Sequence, residues 1–362
     1  MMKYRIWVIL FLAALAGSCK VEFSPNASWK DVPNVYCVLD VQEDTVWARV
    51  QRCYLGEDNL YNYSHIVDSN NYREGDIAVH LLAWEGVRND EDCGITAGTE
   101  LVDRWEMAYT EVSGKPDGSF PSGPQPMYYC VPGADRMLAD SSCVFELLVI
   151  RSATGDTLAR ARTTLVGLLP PTGVGHDAAE VVVTLPNDIA GKHFGFIPKD
   201  RQNEIKWHAL PRGRMYQPSV VFYYRKQGDT LGIEVPGTPF KNQYGYRLLS
   251  AKSVTQSHFL STIKKALVDN TDTLYNVNNV DIVIYVCNED LNAYISSQNS
   301  NVVSGQEYQT YTNIDGGVGV FGSRRTHIRV NVPCDSNGRD GYLPKCLKDL
   351  GVGFYGTFDK RQ

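Results

Sequence analysis

From residue 34 the chain alternates with period two. Val35, Cys37 and Leu39 alternate with Tyr36 and Val38; then Val46, Ala48 and Val50 alternate with Trp47, Arg49 and Gln51, before the phase slips near Arg52 as a bulge would make it. This predicts two strands in a hairpin that sets Leu39 against Val46 and Cys37 opposite Ala48. Further strands are predicted over 76–84, 104–112, 127–131, 144–151 and 157–166, the last two joined through the Gly-containing loop 152–156. Short strands at this spacing predict an immunoglobulin-like β-sandwich over residues 34–170. The run GLLPPTGVGHD at 167–177, rich in Pro and Gly, marks a domain boundary, with a second domain over 178–362.

The second half predicts strands over 180–185, 204–209, 219–225 and 230–235, the last two joined across Lys226-Gln227-Gly228-Asp229. A helix is predicted over 257–269, where Phe259, Leu260, Ile263, Ala266 and Leu267 share one face and Lys264 and Lys265 point away. The apolar run at 281–287 suits a buried strand; a short helix at 290–297 and a strand at 323–330 follow. The fold class expected is therefore mainly β: two β-rich domains, the second an antiparallel sheet with one covering helix.

The first nineteen residues carry a different pattern. Lys3 and Arg5 precede an apolar run from Ile6 to Ala16, then Gly17, Ser18 and Cys19, the layout of an export signal. Eleven helical residues rise only about 16 Å against a hydrocarbon core of about 30 Å, so the run is too short to stay as a transmembrane anchor. Leu15-Ala16-Gly17-Ser18-Cys19 looks like a bacterial lipobox, whose cysteine takes a diacylglycerol and, after cleavage, an amide-linked fatty acid such as palmitate. The expectation is that 1–18 is removed, 19–33 is a lipidated linker, and several acyl chains hold the body at a membrane, since one chain alone binds only marginally. Loss of Lys3 and Arg5 takes the formal charge from −6 to −8 and leaves anchoring to the lipid.

Composition narrows the classes further. At 43% apolar and 21% charged residues the chain excludes collagen, coiled coil and bulk disorder. With 35 basic residues against 41 acidic ones and no basic stripe, there is no electrostatic footprint for nucleic acid. Eight of the nine cysteines remain once Cys19 carries lipid, and an exported protein permits disulfides. Cys334 with Cys346, around a short polar loop, is the first candidate pair, and Cys130 with Cys143 the second. Cys37 and Cys53 lie about 17 Å apart along the predicted hairpin, beyond the bridging limit of about 7 Å. The absence of C-x-x-C gives no zinc ribbon and no thioredoxin-type redox site.

Motifs for chemistry are sparse. Gly317-Val318-Gly319-Val320-Phe321-Gly322 matches the dinucleotide string, but the residues after it alternate like a strand where the fingerprint needs a helix, so the glycines are read as close backbone packing. The seven histidines are scattered, without H-E-x-x-H or H-x-H. Asp335 to Gly341 has the composition of a calcium loop, yet Arg339 stands where an oxygen ligand is needed. No G-x-S-x-G, P-loop or kinase set is present. No catalytic residue, metal ligand or cofactor is assigned. Twenty-one tyrosines and six tryptophans raise the question of sugar binding through exposed aromatic faces, with Tyr223-Tyr224 and Tyr244-Gly245-Tyr246 in view, although sheets favour the same residues. For a binding region the sequence offers Tyr311, Asn313, Arg324 and Arg325, which flank the Gly-rich turn with polar and guanidinium groups.

Tyr36-Cys37-Val38-Leu39-Asp40, Arg52-Cys53-Tyr54-Leu55-Gly56, Asp68-Ser69-Asn70-Asn71-Tyr72 and the run from Tyr311 to Arg324 resemble an uncharacterised family of Bacteroidota envelope lipoproteins, akin to those that accompany outer-membrane transporters. Cys37 and Cys53 depart from the small or apolar residues of that pattern. The resemblance implies a lipoprotein of the Gram-negative outer membrane with β-rich domains, on the periplasmic or the surface face, and supplies no catalytic residues. The function expected is a non-catalytic binding or accessory module, with a transporter or another envelope protein as partner. A fimbrial or adhesin subunit and an envelope hydrolase stay open as alternatives.

Overall fold

In the computed structural model the residues described are 30–53, 70–85, 98–114, 123–133, 143–167, 182–184, 194–195, 204–251, 254–300, 311–334 and 342–357. The first half contributes β1 (Pro33–Asp40), β2 (Val46–Arg52), β3 (Ile77–Glu85), β4 (Glu100–Val112), β5 (Gln125–Cys130), β6 (Val144–Arg151) and β7 (Thr157–Thr164). Then follow β8 (Val182–Thr184), β9 (Glu204–His208), β10 (Met215–Lys226), β11 (Asp229–Pro236), β12 (Phe240–Lys241) and β13 (Leu248–Ala251). The remainder is α1 (Gln256–Ala266), β14 (Leu274–Cys287), α2 (Glu289–Ser300), β15 (Ile314–Asp315), β16 (Val318–Pro333), α3 (Tyr342–Asp349) and β17 (Phe354–Thr357). The protein is mainly β. Among the described residues no helix is long and apolar enough to cross a membrane.

The first hairpin has the register that alternation predicts, with Cys37 opposite Ala48 and Val35 opposite Val50. The partner on the other side of β1 is not local. β16 runs parallel to it, Val35 beside Gly319 and Asp40 beside Arg324. Beyond Arg324 the same strand pairs antiparallel with β14, so β16 is shared between the two halves of the chain. The result is one 14-stranded path in the order β11-β10-β14-β16-β1-β2-β5-β4-β3-β6-β7-β15, with β12 on β10 and β17 on β14; β13, β9 and β8 form a separate small sheet. β4 changes neighbour along its length: its residues up to Met107 pair with β3, and Ala108 onward with β5.

Two apolar clusters follow from this path. Val35, Leu39, Leu81, Leu147, Val149 and Phe321 lie in the first; Phe222, Phe259, Ile263, Ile282, Ile284 and Val332 lie in the second. β16 supplies Phe321 to one and Val332 to the other. Each fully buried chain of this size contributes about 1.5–3 kcal/mol. α1 covers the second cluster: Thr255 caps it by accepting from the His258 N–H at 3.2 Å, and the Phe259 ring meets Phe222 edge-on at 5.7 Å. The Pro- and Gly-rich boundary at 168–177 and the anchor Cys19 lie outside the described residues.

Neither predicted disulfide forms. Cys130 ends β5 and Cys143 precedes β6, strands separated in the sheet by β4 and β3, and both side chains are buried within the first cluster. Cys334 follows β16 and bridges to Phe194, while Cys346 sits on α3, its sulfur accepting from Gln256 Nε2 at 3.3 Å. Cys346 is carried on a helix, α3, and not on a turn leading back to Cys334.

A cleft at the junction of the two halves

A cleft of about 710 Å³ opens where the start of β10, the end of β14 and the end of β7 meet. One wall is the turn Leu210-Pro211-Arg212-Gly213, closed by the Gly213 N–H donating to Leu210 O at 3.0 Å. Proline at the second position suits turns of type I and type II alike, and of the two only type II has a positive φ at the third residue, a place usually filled by Gly or Asn. Here it is Arg212, at φ 60°. Beneath, the buried Tyr216 hydroxyl accepts from the Leu210 N–H at 3.0 Å and holds the turn to β10.

The second wall is the turn 242–247. Buried Asn242 accepts from the Tyr246 N–H at 2.9 Å and donates Nδ2 to Tyr246 O at 3.0 Å, and its own N–H donates to Arg214 O at 2.8 Å. This clamp holds Tyr244 and Tyr246 out in solvent, 72% and 60% exposed, with ring centroids 5.6 Å apart. Arg247 also lines the cleft.

The floor is the start of α2. Asn288 is the buried cap: Oδ1 accepts from the N–H groups of Leu291 at 3.2 Å and Ser323 at 3.1 Å, while Nδ2 donates to Thr163 Oγ1 at 2.7 Å and Thr164 O at 3.1 Å. α2 can approach β16 this closely because position 322 is glycine: a Cβ there would stand 2.9 Å from Leu291 Cβ. Asp290 receives Tyr311 Oη–H at Oδ1, 2.9 Å, and Thr163 Oγ1–H at Oδ2, 2.8 Å. Burial pushes its carboxyl above the ordinary range, an effect partly offset by donors from Thr163, Tyr311 and Asn313. Glu289, half exposed, takes Lys241 Nζ at 3.0 Å and Arg214 Nε at 3.4 Å.

Of the four residues singled out for a binding region, Tyr311 lines the cleft and Asn313 lies beside it. Asn313 stitches its loop to β16, accepting from the Phe321 N–H at 2.9 Å and donating to Phe321 O at 2.7 Å. Arg324 and Arg325 are not brought there together. As strand neighbours they face opposite ways: Arg324 is 58% exposed and pairs with Asp40 at 2.7 Å, whereas Arg325 is buried and donates Nε to Val166 O at 3.0 Å. Sequence reasoning missed Arg212, Arg214, Asn242 and Arg247. The cues present were a Pro-Arg-Gly turn and the Asn242-x-Tyr244-Gly245-Tyr246 cluster, each ordinary alone.

The Gly-rich string leads into a strand, as its flanking alternation indicates, and serves close packing between β16 and β1. Among the described residues no group of three or more His, Cys, Asp or Glu side chains is placed to hold a metal ion. No protein-family model matches the chain, and no curated protein matches it in sequence.

Proposed function

We propose that this chain is a lipid-tethered binding module of the bacterial envelope, anchored through Cys19 at the outer membrane, that takes a ligand in the junction cleft without transforming it. In this reading an immunoglobulin-like unit over 34–170 and a second β-rich unit over 178–362 share β16, and the cleft lies between them. The observation that carries the reading is the division of labour in the cleft. Its half-buried carboxylate, Asp290, has both oxygens engaged by Tyr311 and Thr163, so it acts as a structural tie, while the more open lining offers Tyr246 and Arg247 for contact, with Glu289 held by Lys241 and Arg214. A volume of about 710 Å³ falls within the range of small-molecule sites. A module held at the membrane by lipid is placed to hand its ligand to a transporter, the partner class that the family resemblance implies.

Two measurements test this. Fatty-acid labelling of the native protein and Cys19→Ala tests the tether; an unlabelled native protein shed into the medium overturns it. Thermal shift against a panel of amino acids, peptides, nucleotides, and neutral and acidic sugars tests the cleft. The expected result is a stabilising class whose shift disappears in Arg247→Trp, which fills the mouth. A panel without effect, or a shift that survives that substitution, overturns the cleft as the ligand site.

A further inference from the structure

We infer that Thr163 and Asn288 join in an ester, Thr163 Oγ1 taking the place of the Asn288 side-chain nitrogen, with Asp290 as the acid–base and the N–H groups of Leu291 and Ser323 as the oxyanion site. The hydrogen bonds described above are the arrangement before that bond forms. Whatever the cleft binds, four features converge on this one side-chain amide. The first is a nucleophile on its base: Thr163 Oγ1 donates to Asp290 Oδ2 at 2.8 Å and accepts from Asn288 Nδ2 at 2.7 Å. Asn288 Cγ stands one amide bond, about 1.33 Å, behind that nitrogen. A turn of the amide that presents its face therefore brings the hydroxyl oxygen to attack distance, about 3–3.5 Å. The second is the carbonyl oxygen, since Asn288 Oδ1 receives two backbone N–H groups, Leu291 at 3.2 Å and Ser323 at 3.1 Å. Capping α2 calls for the first of these alone. Two fixed donors on one carbonyl oxygen are what a tetrahedral intermediate needs.

The third feature is the leaving group. Asp290 Oδ2 also stands 3.3 Å from Asn288 Nδ2, so one oxygen meets both the hydroxyl that must lose a proton and the nitrogen that must gain it. Tyr311 positions the carboxylate by holding its other oxygen at 2.9 Å, and burial raises the affinity of the group for the proton it must carry. The fourth is dryness. Thr163 and Ser323 are fully buried and Asn288 nearly so, which keeps water from competing with the hydroxyl for Cγ and from hydrolysing the product. Asn288 and Asp290 both reach the wall of the cleft, which gives the displaced ammonia a way out.

Atoms and electrons balance. Asp290 Oδ2 takes the hydroxyl proton as a Thr163 Oγ1 lone pair forms the bond to Cγ, and the C=O pair moves onto Oδ1. Asp290 then passes that proton to Nδ2, the Oδ1 pair returns, and the Cγ–Nδ2 bond breaks with its electrons on nitrogen. One amide and one hydroxyl become one ester and one ammonia. Asp290 ends as it began, and no oxidant or co-reactant is needed. The new bond ties the end of β7 to the residue between β14 and α2, 125 positions apart in sequence, and so joins the two halves covalently where they meet.

The test is peptide mapping of the native protein by mass spectrometry, after digestion under denaturing, mildly acidic conditions that spare esters. The expected result is a joined pair of peptides, one carrying Thr163 and the other position 288, lighter than their sum by one ammonia. Mild alkali should separate them and leave a carboxylate at position 288. Thr163→Val, which keeps the shape of the side chain, and Asp290→Asn are each expected to lose the joined pair and to give both peptides separately. Native protein whose two peptides appear apart at their calculated masses overturns the proposal, and that outcome needs no variant to fold. A loss of ammonia confined to the peptide with Asn288 also overturns it, because that marks a cyclic imide with Glu289 instead of an ester. A joined pair that persists in Thr163→Val or in Asp290→Asn overturns it as well.

Discussion

The Tyr311 hydroxyl donates to Asp290 Oδ1 across 2.9 Å, and Thr163 donates to the other oxygen of the same carboxylate across 2.8 Å. One side chain at the start of α2 therefore ties together the end of β7 and the loop that leads into β15. Asn288 runs alongside, joining Thr163 and Thr164 to the Ser323 N–H of β16. The two apolar clusters meet through a polar seam. A polar seam satisfied throughout fixes geometry more narrowly than apolar contact does, and the cleft floor is that seam's outer surface.

Tyr311→Phe removes one donor from a half-buried carboxylate and is expected to cost about 1 kcal/mol in urea unfolding. The pH dependence has a definite sign. Burial raises the folded carboxyl above its ordinary 3.8, so the stability it contributes is fully present below 3.8 and is lost as pH rises through the folded value. Without the Tyr311 donor that value rises further, and the fall in stability extends to higher pH. Comparing urea midpoints of the native protein, Tyr311→Phe and Asp290→Asn between pH 3.5 and 7 isolates this group; identical profiles for all three would refute the tie.

Asn288→Ala removes a helix cap, takes one donor from Thr163, which keeps its bond to Asp290, and removes the acceptor that Asn288 offers the Ser323 N–H. A lost cap near 1 kcal/mol and a buried unsatisfied group predict a combined loss of about 2–4 kcal/mol. Asn288→Asp keeps an acceptor for the cap but loses the donor to Thr164 O and sets a second carboxylate beside Asp290, so it is expected to be destabilised as well. Chemical denaturation of both variants checks this, and a loss below about 0.5 kcal/mol would mean the seam contributes little.

How much of this was legible in the chain can be seen at individual residues. The pairing of Cys37 with Ala48 follows from alternation, because a one-residue slip would turn Val35 and Leu39 out of the core. The parallel neighbour of β1 has no local signature, since nothing near Val35 encodes a partner as remote in sequence as Gly319; only the glycines hinted at close approach. α3 is hidden for another reason. Leu343 and Leu347 stand four apart and are buried, but Pro344 and the flanking glycines resemble a loop, although proline is tolerated in a first helical turn. β14 begins at Leu274 instead of 281 because its Asn-rich start has poor strand propensity. Adjacent strand residues such as Arg324 and Arg325 could not have flanked one site, as period two already implies. The cleft is assembled from turns far apart in sequence, so only Tyr311 and Tyr246 were in view beforehand.

Gly319→Ala is expected to destabilise the protein by roughly 2–4 kcal/mol or prevent folding. Gly319 has φ 117°, and a Cβ there would run into the Val35 carbonyl oxygen, which is backbone and cannot step aside. The damage falls on the β1–β16 seam, so hydrogen exchange at Val35 and Cys37 should rise more than at Ile282 or Ile284 in the second cluster. Uniform protection across both clusters in a folded Gly319→Ala protein would contradict the pairing.

His80 gives the opposite pH dependence from Asp290. It is buried on β3, its Nε2 stands 3.3 Å from Arg104 Nη2, and its Nδ1 has no hydrogen-bond partner among the described residues. Burial first, and the Arg104 charge second, hold its pKa below the ordinary 6.5, against a smaller pull from Glu106. A neutral ring in the fold and an easily protonated one in the unfolded chain make its contribution complete above 6.5 and lost as pH falls through the folded value. The urea midpoint should therefore drop between pH 7 and 5, and His80→Gln, whose amide oxygen can still accept from Arg104, should flatten that part of the curve. A native protein whose midpoint is level over this range, or a His80→Gln curve parallel to it, would show that the imidazole remains free to take a proton in the folded state.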